Sequence, residues 1–237
     1  MSGEGGDRRR VLLQAASAAA FLTIAVVLVL IVISGNATSG GDAKHVEQAG
    51  PVRSLLSGIP QQGMTLGEPG ARVTLVEFGD LKCPVCKAFS EEVIPRVIES
   101  KVRDGSARIE FRNYTIIDAE STPAGAAAIA AGEQGRGWDF LELFYRNQGS
   151  ETDSYVTDEF LTAIAKKAGV RDIARWNRER KSKRVLTEVA LTTEEAERLG
   201  FEGTPSFAVE GPATGGLEAK GFLESVGEIE AAIDAAR

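Results

Sequence analysis

Cysteine and histidine are the scarcest chemically reactive residues of this sequence. Its 237 residues include two cysteines, Cys83 and Cys86, and one histidine, His45. Structural zinc sites use four cysteine or histidine ligands, so this small set argues against zinc, and the sequence predicts no metal site. His45 lies in a segment rich in small and polar residues, outside the predicted folded domain. Paired Cys–His nucleophilic catalysis is therefore excluded in that domain.

Positive charge is also in short supply. The chain has 34 Asp and Glu residues against 27 Lys and Arg residues, and a net charge of -7. Binding to a phosphate backbone usually requires a basic surface, so the sequence predicts no nucleic-acid partner. The most basic segment, residues 166–184, is interpreted as the solvated face of a helix.

The segment from Val11 to Ile33 contains no charged residue and is mainly apolar. A helix of this length spans roughly 35 Å, which is enough for a bilayer core of ~30 Å. An arginine triplet at residues 8–10 precedes it, so the positive-inside rule places residues 1–10 in the cytoplasm. The sequence therefore predicts a single-pass anchor at residues 11–33 that contacts the lipid bilayer of the cell membrane, followed by an extracytoplasmic domain. A cleaved signal peptide is the alternative.

Composition divides the rest of the chain into a linker and one domain. Residues 34–62 lack sustained periodicity and are rich in Gly, Ser, Asn, Ala and Gln, which is typical of a flexible linker. Residues 63–237 are predicted to form the domain. Its strand and helix signals are interrupted at about residues 120–200 by apolar residues at helical spacing, which predicts an inserted helical block. Strand signals return in GTPSFAVEG, and a last helix is predicted to carry Phe222 and Ile229.

The first segment of the domain, ARVTLVEFGD, predicts a central β-strand. Val73, Leu75 and Glu77 share one face of it because side chains alternate along a strand. Glu77 is therefore predicted to be a buried acid. The alternative is a surface carboxylate at a frayed strand end.

The two cysteines follow that strand at the predicted start of a helix, where Pro84 suits the first turn. Their spacing places the α-carbons ~5 to 6 Å apart, within reach of a disulfide. The helix N-terminus, with Lys82 and Lys87 nearby, favours an exposed thiolate on Cys83. Cys86 is predicted on the buried face.

This asymmetry predicts a division of labour in thiol–disulfide exchange. Cys83 exchanges with an outside sulfur, and Cys86 attacks the mixed disulfide and releases the partner. Glu77, beneath the helix, is predicted to exchange a proton with Cys86. A disulfide that closes so short a loop removes little chain entropy, which argues against a purely structural bond. The pair is therefore predicted to be redox-active without any other cofactor.

The run VEFGDLKCPVC at residues 76–86, together with GTPSF at residues 203–207, resembles the DsbA-like thiol:disulfide oxidoreductases, particularly the membrane-anchored bacterial type. The resemblance implies an α/β thioredoxin fold with an inserted helical subdomain, preceded by a single transmembrane helix. It makes Cys83 the attacking cysteine, Cys86 the resolving cysteine and Glu77 the buried acid. Substrate contact falls to the residues between the cysteines and to the late Thr–Pro pair: Pro84, Val85, Thr204 and Pro205, the last as a cis-proline facing the disulfide.

The function implied by the resemblance is the introduction of disulfides into exported cysteine-containing proteins. A membrane partner would reoxidise the enzyme, which is expected to be a monomer. Val85 stands where strongly oxidising members carry a histidine, so a reductase or isomerase of the same fold is the first alternative. A non-catalytic peptide-binding chaperone module is the second.

Overall fold

The computed structural model describes residues 46–237. The predicted cytoplasmic N-terminus at residues 1–10, the anchor at residues 11–33 and the first part of the linker lie outside the described residues. Within residues 46–237, no helix has the length and apolar character needed to span a bilayer.

A six-stranded sheet with the order β1-β2-β4-β3-β5-β6 forms the centre of the domain. The strands are β1 (Gln61–Gln62), β2 (Thr65–Leu66), β3 (Val73–Gly79), β4 (Ala107–Asn113), β5 (Ser206–Glu210) and β6 (Glu218–Gly221). β3 and β4 are parallel, and the other neighbouring pairs are antiparallel. All residues of β3 are buried, which confirms the predicted central strand.

Helices cover both faces of this sheet. Within the described range they are α1 (Ala49–Leu56), α2 (Pro84–Glu92), α3 (Ile94–Val97), α4 (Ser121–Gly132), α5 (Gly137–Arg146), α6 (Asp158–Lys167), α7 (Ile173–Glu179), α8 (Lys183–Arg198) and α9 (Val226–Ala235). A π-helical turn, Ile98–Val102, follows α3. Helices α4 to α8 lie between β4 and β5 in the chain, so the predicted helical insertion is confirmed.

The alternation of side chains along β3 directs Glu77 toward the cysteines. Val73 and Leu75 belong to the same buried cluster as Cys86 and Phe89 of α2. Val76 and Phe78 belong to a second cluster with Ala196 of α8. Glu77 shares the face of Val73 and Leu75, and it therefore lies on the side of the sheet that α2 covers.

The linker predicted at residues 34–62 is wrong for its C-terminal part. Residues 49–56 form α1, whose Val52 and Leu56 are only 1% and 4% exposed and join the main core. Reciprocal hydrogen bonds between the backbone of Glu47 and the side chain of Asn147 hold the start of this segment. The four-residue spacing of Val52 and Leu56 is a helical signal, which the many small polar residues around it obscured. The ordered domain thus includes residues before the predicted boundary at 63.

Candidate active site

Strand pairing brings the two distant sequence motifs together. β3 runs antiparallel to β5, and Phe78 near the end of β3 pairs with Ser206 at the start of β5. The chain then passes through a short loop to Cys83, the N-cap residue of α2, with Pro84 in the first turn. The Thr204–Pro205 peptide bond, which is cis, therefore lies beside the cysteines. This is the geometry that the resemblance implied.

Cys83 is surrounded by groups that favour its thiolate. Its Sγ accepts a hydrogen bond from the Cys86 backbone N–H at 3.3 Å. Only the protonated thiol can donate to the Thr204 carbonyl oxygen, which lies at 3.4 Å. The pKa of Cys83 is lowered from 9.0 to about 6, chiefly by a hydrogen bond from the Cys86 side chain. Hydrogen bonds from the Thr204 side chain and from the N–H groups of Cys86 and Val85 add to this effect, while burial opposes it. At neutral pH this sulfur is mainly a thiolate.

Cys86 has the opposite character. Its side chain is 0% exposed, and burial raises its pKa well above the usual value of 9.0. The hydrogen bond to Cys83 and the negative charges of Cys83 and Glu77 raise it further. Both thiols are free, so the structure represents the reduced state. The predicted contrast between the sulfurs is present, but the predicted exposure of Cys83 is wrong. Cys83 is only 4% exposed, and its Sγ contacts the Thr204 carbonyl.

Glu77 is a buried acid, 2% exposed, and the alternative of a surface carboxylate is wrong. Its pKa is raised from 4.5 to about 8, first by burial and then by the negative charges of Glu142 and Cys83. Within the described residues its Oε1 has no hydrogen-bond partner. At neutral pH the carboxyl group is therefore mostly protonated, and it can give a proton to a neighbouring thiolate.

Lys82 does not act as a free cation beside Cys83, contrary to the prediction. It is 1% exposed, and its Nζ bonds Asp118 at 2.5 Å, Glu120 at 3.1 Å and the Asp153 carbonyl at 3.1 Å. These partners come from loops before and within the helical insertion. The lysine therefore ties the residue before Cys83 to the insertion. Lys87 is likewise paired, with Glu91 at 2.6 Å.

Replacing Lys82 by methionine is expected to destabilise the domain by about 2 kcal/mol, because two carboxylates and a carbonyl lose a charged donor. The measurement is urea unfolding of the reduced protein. A Lys181→Met variant is the matched control, because its ion pair with Asp158 is more than half exposed on each side and contributes much less. Equal losses in the two variants would contradict the role given to Lys82.

Sequence reasoning missed the residues of α5 and its C-terminal end that hold the cysteine loop. The Gln148 side-chain amide donates to the carbonyls of Leu81 at 2.6 Å and Cys83 at 3.1 Å. The Tyr145 hydroxyl donates to the Asp80 carbonyl at 3.2 Å. These contacts span more than sixty residues of chain, and no local pattern indicates them. The helical insertion therefore fixes the position of the reactive sulfur.

A groove lies next to Cys83. Its cavity has a volume of about 470 Å³ and is lined by Val85, Phe222 and the segment 200–206, which contains Thr204 and Pro205. Val85 and Phe222, which are 45% and 50% exposed, place two apolar side chains at its surface. Phe222 precedes α9 and is not part of it, contrary to the prediction. The groove offers apolar contact to an extended peptide.

Comparison with known proteins places this geometry in a family. A profile described as thioredoxin matches residues 60–227. The chain belongs to the thioredoxin family. Its relatives include bacterial proteins named for disulfide bond formation, and they make it a DsbA-like thiol:disulfide oxidoreductase.

Two relatives of this thioredoxin-family enzyme are bacterial proteins with the name "probable disulfide bond formation protein D". The Bacillus cereus protein is 32% identical over 150 residues, which cover 62% of this chain and 69% of that protein. The Bacillus anthracis protein is 33% identical over 150 residues, with the same coverage.

Two solved structures share the architecture of the enzyme. A thioredoxin-like oxidoreductase from Silicibacter pomeroyi is 28% identical, with a TM-score of 0.58 over 78% of this chain and 96% of that chain. Oxidised BdbD from Bacillus subtilis has a TM-score of 0.63 at 23% identity, over 74% of this chain and 96% of that chain. The latter similarity shows the common fold.

Proposed function

We propose that this enzyme is anchored in the cell membrane and introduces disulfides into exported proteins through the Cys83–Cys86 pair. The observation that carries the proposal is the contrast between the two sulfurs. The pKa of Cys83 is lowered to about 6, whereas that of buried Cys86 is raised well above 9.0. A thiol of low pKa is the better leaving group in disulfide exchange. Cys83 therefore leaves readily when a second substrate thiolate attacks the mixed disulfide between Cys83 and the substrate.

The reaction begins with the Cys83–Cys86 disulfide. A substrate thiolate attacks Cys83 Sγ, the bond to Cys86 breaks, and a mixed disulfide forms while Cys86 leaves as a thiolate. A second substrate thiolate then attacks the substrate sulfur of the mixed disulfide and expels Cys83 as a thiolate. Two electrons pass from the substrate to the enzyme, and the substrate gains one disulfide. In the reverse direction, Cys86 attacks the mixed disulfide and releases the substrate as a thiolate.

Glu77 serves the Cys86 sulfur in this scheme. Its buried carboxyl group holds a proton at neutral pH, because burial raises its pKa to about 8. When Cys86 leaves, Glu77 donates this proton, and the buried thiolate becomes a thiol. A charged sulfur in a site that excludes water would be costly, so this transfer favours opening of the disulfide.

The groove beside Pro205 receives the substrate chain. Val85 borders it on the side of α2, and Thr204 and Pro205 border it on the side of β5. Pro84 is the exposed neighbour of Val85 in the first turn of α2. An extended peptide placed there can bond the backbone groups next to Pro205 while a cysteine of the peptide approaches Cys83. The cavity volume of about 470 Å³ fits a few residues of such a peptide.

The cellular setting of the proposal rests on the sequence and on the relatives. The apolar stretch at residues 11–33 has the length of a membrane anchor, and the arginines before it favour a cytoplasmic N-terminus. The domain then works outside the cytoplasm, as a monomer, and a membrane partner takes its two electrons to restore the Cys83–Cys86 disulfide. Relatives named for disulfide bond formation support this direction.

Direct oxidation of a substrate tests the proposal. The oxidised enzyme is mixed with reduced, unfolded ribonuclease, and substrate disulfides are counted over time, with Cys83→Ala as the control. We expect ribonuclease disulfides to appear with the wild-type enzyme and not with Cys83→Ala. The reduction potential is expected between thioredoxin's ~-270 mV and DsbA's ~-120 mV, because the pKa of Cys83 lies between those of their attacking cysteines, ~7 and ~3.5.

Two other outcomes would replace the proposal. A potential at or below that of thioredoxin, with reduction of substrate disulfides, would make the protein a reductase or isomerase. If ribonuclease is never oxidised while Cys83→Ala still protects unfolded proteins from aggregation, the protein is a peptide-binding chaperone.

A further inference from the structure

Glu142 is a second fully buried carboxyl group near the redox site, and the mechanism above gives it no role. It lies on α5, in the helical insertion, and is 0% exposed. Its Oε1 accepts a hydrogen bond from Ser90 Oγ at 3.0 Å. Its Oε2 accepts one from the Arg146 guanidinium at 2.9 Å. The hydroxyl and the guanidinium together fix the position of this buried carboxylate.

Ser90 places this carboxylate next to the redox helix. Ser90 follows Cys86 by four residues on α2, so both side chains project from the same buried face of the helix. Glu77 lies on β3 beneath that face, and within the described chain its Oε1 has no hydrogen-bond partner. The two buried acids therefore approach the inner side of α2 from two different elements, a strand of the sheet and a helix of the insertion.

The charges around the two acids determine which one ionises first. The charged or titratable groups that face Glu142 within the described residues are Arg146 on α5, Glu91 on α2 and Glu77 on β3. Those that face Glu77 are Glu142, Cys83, Cys86 and Tyr145. Burial raises the pKa of Glu142 to about 7, against the opposing effects of Arg146 and Ser90. Glu142 has the cation beside it, so it carries the negative charge, and Glu77 retains its proton.

We propose that Glu142 is a positioning residue of the redox site, whose carboxylate, held by Ser90 and Arg146, keeps the proton on Glu77 for delivery to Cys86. This inference rests on the proposed function. When the substrate thiolate breaks the Cys83–Cys86 bond, the proton moves from Glu77 to the departing Cys86 sulfur, and Glu77 becomes a carboxylate. Glu142 has its hydrogen bonds with Ser90 and Arg146 and not with either sulfur, so it acts through Glu77. Solvent returns the proton to Glu77 before the next turnover.

The test is the titration of Glu77 in a Glu142→Gln variant. Carboxyl groups are labelled with ¹³C, and the Glu77 signal, assigned by its loss in Glu77→Gln, is followed against pH by NMR in the reduced protein. Removal of the Glu142 charge is expected to lower the midpoint of Glu77 by about one pH unit. The rate of substrate oxidation, plotted against pH, should then begin its alkaline fall at a correspondingly lower pH. Glu92→Gln, which removes the same charge from an exposed position of α2, is the matched control and should leave the midpoint unchanged.

A purely structural role for Glu142 gives a different result. Loosened packing lowers the free energy of unfolding without moving the midpoint of Glu77, and an unchanged midpoint overturns the proposal. If Glu142→Gln does not fold, Arg146→Gln replaces it. Loss of the guanidinium leaves Glu142 neutral, so the midpoint of Glu77 should fall again, and a constant midpoint in that variant also overturns the proposal. The titration needs no turnover, so failure of ribonuclease oxidation would remove the proposed function without deciding this result.

Discussion

A Cys83→Ser variant is expected to lose thiol–disulfide exchange, with the rate falling at least about 100-fold. The reason is the difference in thiolate content between the sulfurs. With a pKa of about 6, Cys83 is about 90% thiolate at neutral pH. Cys86, with a pKa well above 9.0 and no exposed surface, is less than about 1% thiolate. The rate is measured as attack of the reduced proteins on a disulfide-bonded substrate, because Cys83→Ser cannot form the disulfide that oxidises ribonuclease. The thiolate is measured by its ultraviolet absorbance against pH.

A Cys86→Ser variant provides the contrast. Cys83 still exchanges with a substrate sulfur, but no second thiol is present to resolve the product, so mixed disulfides accumulate. They are detected as covalent complexes with exported cysteine proteins that disappear on reduction, and they should be missing from Cys83→Ser. Substrate release from Cys86→Ser at the wild-type rate would show that Cys86 does not resolve the intermediate. Complexes through Cys86 in Cys83→Ser would reverse the assignment of the two roles.

Glu77→Gln is expected to stabilise the reduced domain at alkaline pH by roughly 3–5 kcal/mol. The folded-state pKa of Glu77 is raised from 4.5 to about 8. Below pH 4.5 the carboxyl group is protonated in both the folded and the unfolded chain, so its ionisation does not change the free energy of unfolding. As the pH rises toward 8, the unfolded chain releases this proton while the folded domain retains it. The wild type therefore loses stability over this range, and the glutamine variant does not have this loss.

The check is urea unfolding of both proteins under reducing conditions near pH 5 and near pH 9. The difference in unfolding free energy should be small at the lower pH and largest at the higher pH. Glu210→Gln, at an exposed position on the adjacent strand β5, is the matched control and should show no such dependence. A constant difference between Glu77→Gln and the wild type across this range would contradict a raised pKa.

Local patterns were sufficient to predict the parts of the site that depend on neighbouring residues. Alternation along residues 73–78 indicated which side chains share a face, and it placed Glu77 below the cysteine helix. The Pro84 position and the three-residue spacing indicated a helix that begins at Cys83, and the structure has this N-cap. The position of Pro205 beside Cys83 came from the resemblance alone, because the strand pairing that joins them crosses about 120 residues of chain.

The rest of the site depends on contacts that no local pattern shows. Gln148 and Tyr145 bond the cysteine loop from the insertion, and their partners are backbone carbonyls, which any residue offers. Lys82 looked like a surface cation, yet tertiary packing buries it between two acids. Phe222 fitted the period of the last helix by chance, since three residues of non-helical chain separate it from α9. Burial and pairing of this kind are properties of the assembled fold.

The packing of α1 has a practical consequence for work on the isolated domain. A fragment that begins at residue 63, the predicted end of the linker, would lack Val52 and Leu56. An apolar patch of the core would then face water. The fragment would also lose the edge strand β1, whose residue Gln61 bonds Asp139 of the insertion. Recombinant versions intended for crystallisation should therefore begin upstream of Val46, so that α1 covers the hydrophobic interior.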